Sequence, residues 1–99
     1  MIELKSRAQL ASAIERARRE AKSLAVSVGG ESRQYHVTNR ERGTRYEVHF
    51  YLRGGRRYGH CNCKAGTNNI ACKHLVAALG LHLYVASQGL LNRRQLAAA

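Results

Sequence analysis

Along this chain the spacing of hydrophobic positions changes from helical to alternating and back to helical. Near the N-terminus Leu10, Ile14, Ala17 and Ala21 recur at intervals of four, three and four, and Ser6 followed by Gln9 matches a capping box. A helix is predicted from about Arg7 to Lys22. Its apolar stripe is mostly alanine, which suits close packing against a sheet with little burial of its own. The other face carries Arg16, Arg18, Arg19 and Lys22 against Glu15 and Glu20, and a charge run of this kind is ordinarily a solvated face.

The period then shortens to two. Leu24, Val26 and Val28 alternate with Ala25 and Ser27 up to Gly29-Gly30, a short strand entering a turn. Tyr35 and Val37 alternate with Gln34, His36 and Thr38 in a second strand, which ends in the polar stretch Asn39 to Gly43. From Thr44 to Arg53 the alternation is clearest, with Tyr46, Val48, Phe50 and Leu52 on one face and Arg45, Glu47, His49, Tyr51 and Arg53 on the other. Gly54-Gly55 signals a two-residue hairpin that returns the chain as Arg56 to Cys61. After a loop from Lys64 to Ile70, Leu75, Val76, Leu79 and Leu83 mark a helix to about Ala86, punctuated by Gly89. Leu90, Leu91 and Leu96 around Arg93 and Arg94 suggest a last short helix before the tail Ala97 to Ala99. The order of elements predicts an α+β domain with an N-terminal helix, a small antiparallel sheet, and a β-hairpin followed by a helix.

Length sharpens this picture. The 99 residues fit one domain, and a chain of this size buries so small a share of its surface that a metal, disulfides or a partner chain often completes the fold. The 3 Cys form an odd set within 12 residues of sequence, so paired disulfides would leave one over and a reducing compartment is expected. Met1 to Leu10 contains Glu3, Lys5, Arg7 and Gln9 rather than the apolar run of a signal peptide, and no apolar stretch reaches membrane-spanning length. A soluble cytoplasmic or nucleoid- or nucleus-associated protein is expected, with no membrane partner.

The charge points to a polyanion. Lys and Arg number 17 against 6 acidic residues, a formal net charge of +11, and Arg outnumbers Lys by 13 to 4. Arg presents a planar fork suited to bidentate phosphate contact and to stacking on bases. A genome rich in Arg codons or a merely solvated surface would leave the same imprint.

The chemistry concentrates in CNCKAGTNNIACKH, where Cys61 and Cys63, then eight residues, then Cys72 and His74, form a Cys-x-Cys…Cys-x-His set. Three thiolates and one imidazole make a closed four-ligand site of the structural zinc type, with no position open to water or substrate. Residues two apart on an extended strand share a face, so Cys61 and Cys63 converge at the end of the hairpin. Residues two apart inside a helix do not, so Cys72 is expected at the helix cap and His74 within its first turn, where free N–H groups favour a thiolate. His60 is a neighbouring alternative, but its side chain should point away from the face that Cys61 uses. A Cys/His nucleophile pair is the enzymatic alternative, and it lacks an orienting acid: the chain has no Asp, and its Glu residues lie elsewhere in sequence. A non-catalytic protein is expected.

Over roughly residues 44 to 86, Cys61, Cys63, Cys72 and His74, with Lys73 between the last pair and apolar Leu75 and Val76 after it, resemble the SWIM zinc finger. The resemblance implies one zinc ion, a β-hairpin leading to the first two ligands and a helix starting at the last two, and association with DNA binding or protein–protein contact. Many relatives place a Pro before the third ligand, where this chain has Ala71. The ATPase and transposase activities that accompany the module elsewhere have no motif here.

A two-residue loop at Gly54-Gly55 would pair Arg53 with Arg56, Tyr51 with Tyr58 and His49 with His60 on one face. Opposed Arg side chains repel unless an anion lies between them, and phosphate would serve. Tyr51 and Tyr58 would stack on unpaired bases while Arg53, Arg56 and Arg57 follow the backbone, with Lys64 and Lys73 beside the metal as further contacts. The ordinary alternatives are cross-strand Tyr packing and a tip charged for solubility. Nucleic-acid binding without a small-molecule substrate is the leading expectation; an adaptor docking onto an acidic protein, such as transcription or replication machinery, is the second.

Overall fold

In a computed structural model, residues 1–88 are described; Gly89, the short helix expected around Arg93 and Arg94, and the tail lie outside them. Five antiparallel strands, β1 (Ile2–Glu3), β2 (Leu24–Val28), β3 (Gln34–Asn39), β4 (Thr44–Arg53) and β5 (Arg56–Cys61), form a sheet in the order β1-β5-β4-β3-β2. Helix α1 (Ala11–Arg19) precedes β2, and α2 (Lys64–Thr67) and α3 (Lys73–Ser87) follow β5. This is the expected α+β architecture.

The turns follow from their residues. Gly54 and Gly55 take φ of +57° and +76°, the left-handed pair that a two-residue hairpin loop requires, and Arg53 pairs with Arg56 across it. Between β3 and β4, Asn39 Oδ1 accepts from the backbone N–H groups of Glu41 and Arg42 at 3.1 and 3.2 Å, which closes the turn and explains why this Asn is buried.

Four features depart from expectation. The segment Lys64 to Ile70, expected as a loop, begins with the helix α2, which Cys63 caps. The strand β1 carries no periodic signal at two residues, yet Ile2 pairs with Gly59 and Glu3 with Tyr58, and the Leu4 N–H donates to Arg57 O at 2.7 Å. The N-terminal helix starts as a 3₁₀ turn, Ala8–Leu10, and ends at Arg19. Ser6 Oγ accepts from the Gln9 N–H at 3.3 Å, as a capping box requires, but the Gln9 side chain reaches back to Lys5 rather than Ser6. Finally, α1 packs chiefly on α3 instead of on the sheet, because α3 already occupies the apolar face of β2, β3, β4 and β5.

That face holds the core. Tyr35, Val37, Val48, Phe50 and Cys61 from the strands join Cys72, Leu75 and Ala78, with Ile2, Leu24, Val26 and Tyr46 packed around them. Every strand residue in this cluster belongs to one alternating set. The other set, including His36, His49, Tyr51, Tyr58 and His60, is half-buried, and Arg45, Glu47, Arg53 and Arg56 are exposed. Among the described residues, helices therefore cover one face of the sheet and none covers the other. No helix among the described residues is long and apolar enough to cross a membrane.

Candidate metal centre and the open sheet face

Cys61, Cys63, Cys72 and His74 converge at the corner where β5, α2 and α3 meet. Cys61 ends β5 on its core face. Cys63, two residues on, is the N-cap of α2, its Sγ accepting from the Gly66 N–H at 3.4 Å. Cys72 is the N-cap of α3 and accepts from the Leu75 N–H at 3.4 Å. His74 lies one position into the helix, with Nδ1 3.9 Å from Cys61 Sγ. All four are buried, and their donor atoms lie within 4.8 Å of one another.

A thiolate–metal distance of about 2.3 Å and an imidazole distance of about 2.0 Å place tetrahedral ligand atoms roughly 3.6–3.8 Å apart. The donors present are the right number and type and close to that spacing, so the residues fit one metal ion. Two of the sulfurs also serve the backbone, because each caps a helix whose first N–H groups would otherwise lack acceptors.

The surroundings are shaped for this corner. A Cβ on Gly66 would stand 1.9 Å from the carbonyl oxygen of Cys61, so only glycine lets α2 lie this close to the end of β5. Tyr46 stacks on His74 with ring centroids 4.1 Å apart and fixes the plane of the imidazole. Lys73, between the last two ligands, donates to both carboxylate oxygens of Glu20 at 2.7 and 2.8 Å, and Arg16 donates to Ala71 O at 3.4 Å. Both contacts tether α1 to this corner.

The thiols of Cys61 and Cys72 are hydrogen-bonded to each other, so that one keeps the proton the other gives up. The hydrogen bond with Cys72 is the main cause that pushes Cys61 up, and burial adds to it; the same hydrogen bond holds Cys72 down to about 4, helped by His74 and the Leu75 N–H. A divalent cation removes the conflict by taking the place of the shared proton. Three thiolates and one such ion lower the formal charge of +11 by only one.

On the open face, the register places Tyr51 opposite Tyr58, Arg53 opposite Arg56 and His49 opposite His60. His49 stacks along Tyr51 at 6.0 Å with rings 15° apart, and the Arg53 guanidinium lies 5.9 Å from the centre of the Tyr51 ring. The opposed arginines are partly relieved by Glu3 of β1, whose carboxylate is 3.7 Å from Arg56 Nε and 3.6 Å from Lys5 Nζ. Arg57 faces the helix side, opposite Leu52, and so stands apart from Arg53 and Arg56. Lys64 is exposed at the start of α2, whereas Lys73 is committed to Glu20.

Two further residues share the open face and were not among the expected contacts: His36, opposite Glu47, and Arg45, opposite Thr38. The alternation of β4 by itself puts Arg45 on the same face as Tyr51, whereas the place of His36 on that face depends on how β3 pairs with β4. Compared with known proteins, the chain matches no family model, no curated protein and no solved structure.

Proposed function

We propose that this chain is a SWIM-type zinc module that binds nucleic acid through the open face of its sheet, the metal serving the fold and not a reaction. Zinc is the favoured ion because three thiolates and one imidazole are a soft, tetrahedral-type set, and four protein ligands close it. The order of hairpin, Cys-x-Cys, Cys-x-His and helix is that of the SWIM finger. Its role would be to fasten the end of β5 to the start of α3 and so hold the hairpin rigid.

The observation that carries the nucleic-acid reading is the placement of Tyr51, Tyr58, Arg53 and Arg56 together on the face that the helices leave open. Tyrosine rings on a sheet offer stacking platforms for unpaired bases, worth about 1–3 kcal/mol per base, and arginines beside them meet the phosphates. Because such contacts read backbone and ring rather than base edges, weak sequence selectivity and steep salt dependence are expected.

The test is fluorescence anisotropy of metal-loaded protein with labelled single- and double-stranded DNA and RNA over a salt series. Binding should be tightest to single strands, fall steeply with salt, and weaken on Tyr51→Ala and Tyr58→Ala. The double change Arg53→Ala, Arg56→Ala should reduce the logarithmic salt slope by about two. Absence of binding at low salt, or binding indifferent to these four changes in a folded protein, would contradict the reading.

A further inference from the structure

On the helix side of the sheet a groove of about 610 Å³ runs between the N-terminal segment, α3 and the tip of the hairpin, where Tyr51 and Tyr58 also line it. One wall is an apolar ridge of α3, Val76, Leu79, Gly80 and Leu83, at successive spacings of three, one and three. Leu10 and Ile14 form the facing wall, and Phe50 and Leu52 close the hairpin end. At its margins stand four cations, Arg7, Arg33, Arg57 and Lys5, the last 3.6 Å from the Glu3 carboxylate, and none of the described residues lining it is acidic.

Two details show that its apolar lining extends outward. Leu52 and Leu83, on its lips, are 55% and 52% exposed and continue the apolar lining of the groove outward. Gly80, in the middle of the α3 wall, has nothing within 4 Å of where its Cβ would be. A helix-interior glycine costs about 1 kcal/mol relative to alanine, and here it leaves the centre of the groove wide.

We propose that this groove receives an amphipathic, acidic helix of a protein partner. Charge decides between occupants. A second copy would bring another +11 and the same four cations, and residues 89–99 of this chain carry Arg93 and Arg94 with no acid. Nucleic acid has the charge but not the continuous aliphatic surface this lining needs. A small amphiphile fits the volume but would leave the lips wet. A helix with apolar anchors at i, i+3, i+4 and i+7 covers floor and lips together, and its acidic flanks meet the four cations. The wall from Val76 to Leu83 is roughly 10 Å long, or about two helical turns. This inference does not rest on nucleic-acid binding, because its anchors are the aliphatic residues of α1 and α3, although Tyr51 and Tyr58 also line the hairpin end of the groove.

The test uses the metal-loaded full chain and a fluorescein-labelled helical probe peptide of about four turns, with Leu at the four anchor spacings and Glu on the remaining face. A scrambled peptide of equal composition and charge is the control. The probe should bind at least about tenfold more tightly than the control. Gly80→Leu, whose side chain grows into open space, should raise the melting temperature, weaken the probe by about tenfold or more, and leave nucleic-acid affinity unchanged. The proposal is overturned if both peptides bind equally, if the probe fails to bind, or if Gly80→Leu leaves its affinity intact. A concentration-dependent dimer in sedimentation that Gly80→Leu dissolves would assign the groove to a second copy and likewise overturn it.

Discussion

Lys73 grips Glu20 with both carboxylate oxygens, 2.7 and 2.8 Å from its Nζ, and so ties the end of α1 to the residue between Cys72 and His74. The contact spans 53 residues of sequence and joins α1, which packs chiefly on α3, to the metal corner. Lys73 holds the Glu20 carboxyl below its ordinary value of 4.5, and Arg42 and His74 add smaller effects of the same sign. Stabilisation from a depressed carboxylate is present above its unfolded value and is lost as pH falls through the folded one. Glu20→Gln should therefore lower stability by about 1 kcal/mol at neutral pH, as expected for a partly exposed pair. The gap between wild type and variant in denaturant melts should shrink as pH drops below 4.5. A gap independent of pH would show that the bridge contributes packing and not charge.

Gly66 and Gly59 make a matched pair of steric tests. At Gly66 an added Cβ meets the Cys61 carbonyl oxygen at 1.9 Å, and backbone cannot yield; at Gly59 it meets Leu75 Cδ1 at 2.8 Å, the end of a flexible side chain. Gly66→Ala should cost about 3 kcal/mol or more and weaken metal retention, whereas Gly59→Ala should cost about 1–2 kcal/mol and leave the metal bound. Thermal melts with metal analysis of the purified proteins check both. Equal losses would mean that α2 is not held against β5 as described.

His82 is buried in the core beside Tyr35, whose hydroxyl lies 2.7 Å from its Nδ1, and its ring stacks on Phe50 at 4.6 Å. Burial lowers its affinity for a proton below the ordinary 6.5, with Arg33 and then Arg57 adding to the shift. A neutral ring with its proton on Nε2 leaves Nδ1 to accept from the Tyr35 hydroxyl. Because the unfolded chain binds the proton first, stability is fully present above 6.5 and falls as pH drops below it. Tyr35→Phe should cost about 1–2 kcal/mol by leaving a buried nitrogen without this donor, and His82→Phe should flatten the pH dependence between pH 7 and pH 5. An unaltered pH profile in His82→Phe would contradict the assignment.

Much of this arrangement was legible in the residues. The alternation from Tyr46 to Arg53, with Gly54-Gly55, sets both the hairpin register and the two faces of the sheet, because a period of two leaves no other assignment. The requirement that Cys72 and His74 share a face placed Cys72 at a helix cap, where it lies. What was not legible depends on contacts between distant segments. The strand β1 is too short for periodicity and exists because the edge of β5 accepts it. The helix α2 is four residues long and is capped by a sulfur, where sequence reasoning looks for Ser, Asp or Asn. Lys73, read as a phosphate contact, has a carboxylate partner that only the packing of α1 on α3 supplies. Arg57 follows Arg56 in sequence, yet strand alternation turns it to the helix side and the groove.

The most direct measurement is a titration of reduced, metal-free protein with cobalt(II) as a spectroscopic stand-in for zinc, followed by absorbance and circular dichroism together. Saturation is expected at one ion per chain, with intense thiolate-to-metal charge transfer, the visible bands of a tetrahedral site, and a gain of helix signal in step with them. Cys61→Ser, Cys63→Ser, Cys72→Ser and His74→Ala should each alter those bands and loosen the fold, and one equivalent of zinc should displace the cobalt. Saturation without thiolate charge transfer, or a fold equally stable with and without metal, would contradict the structural zinc site.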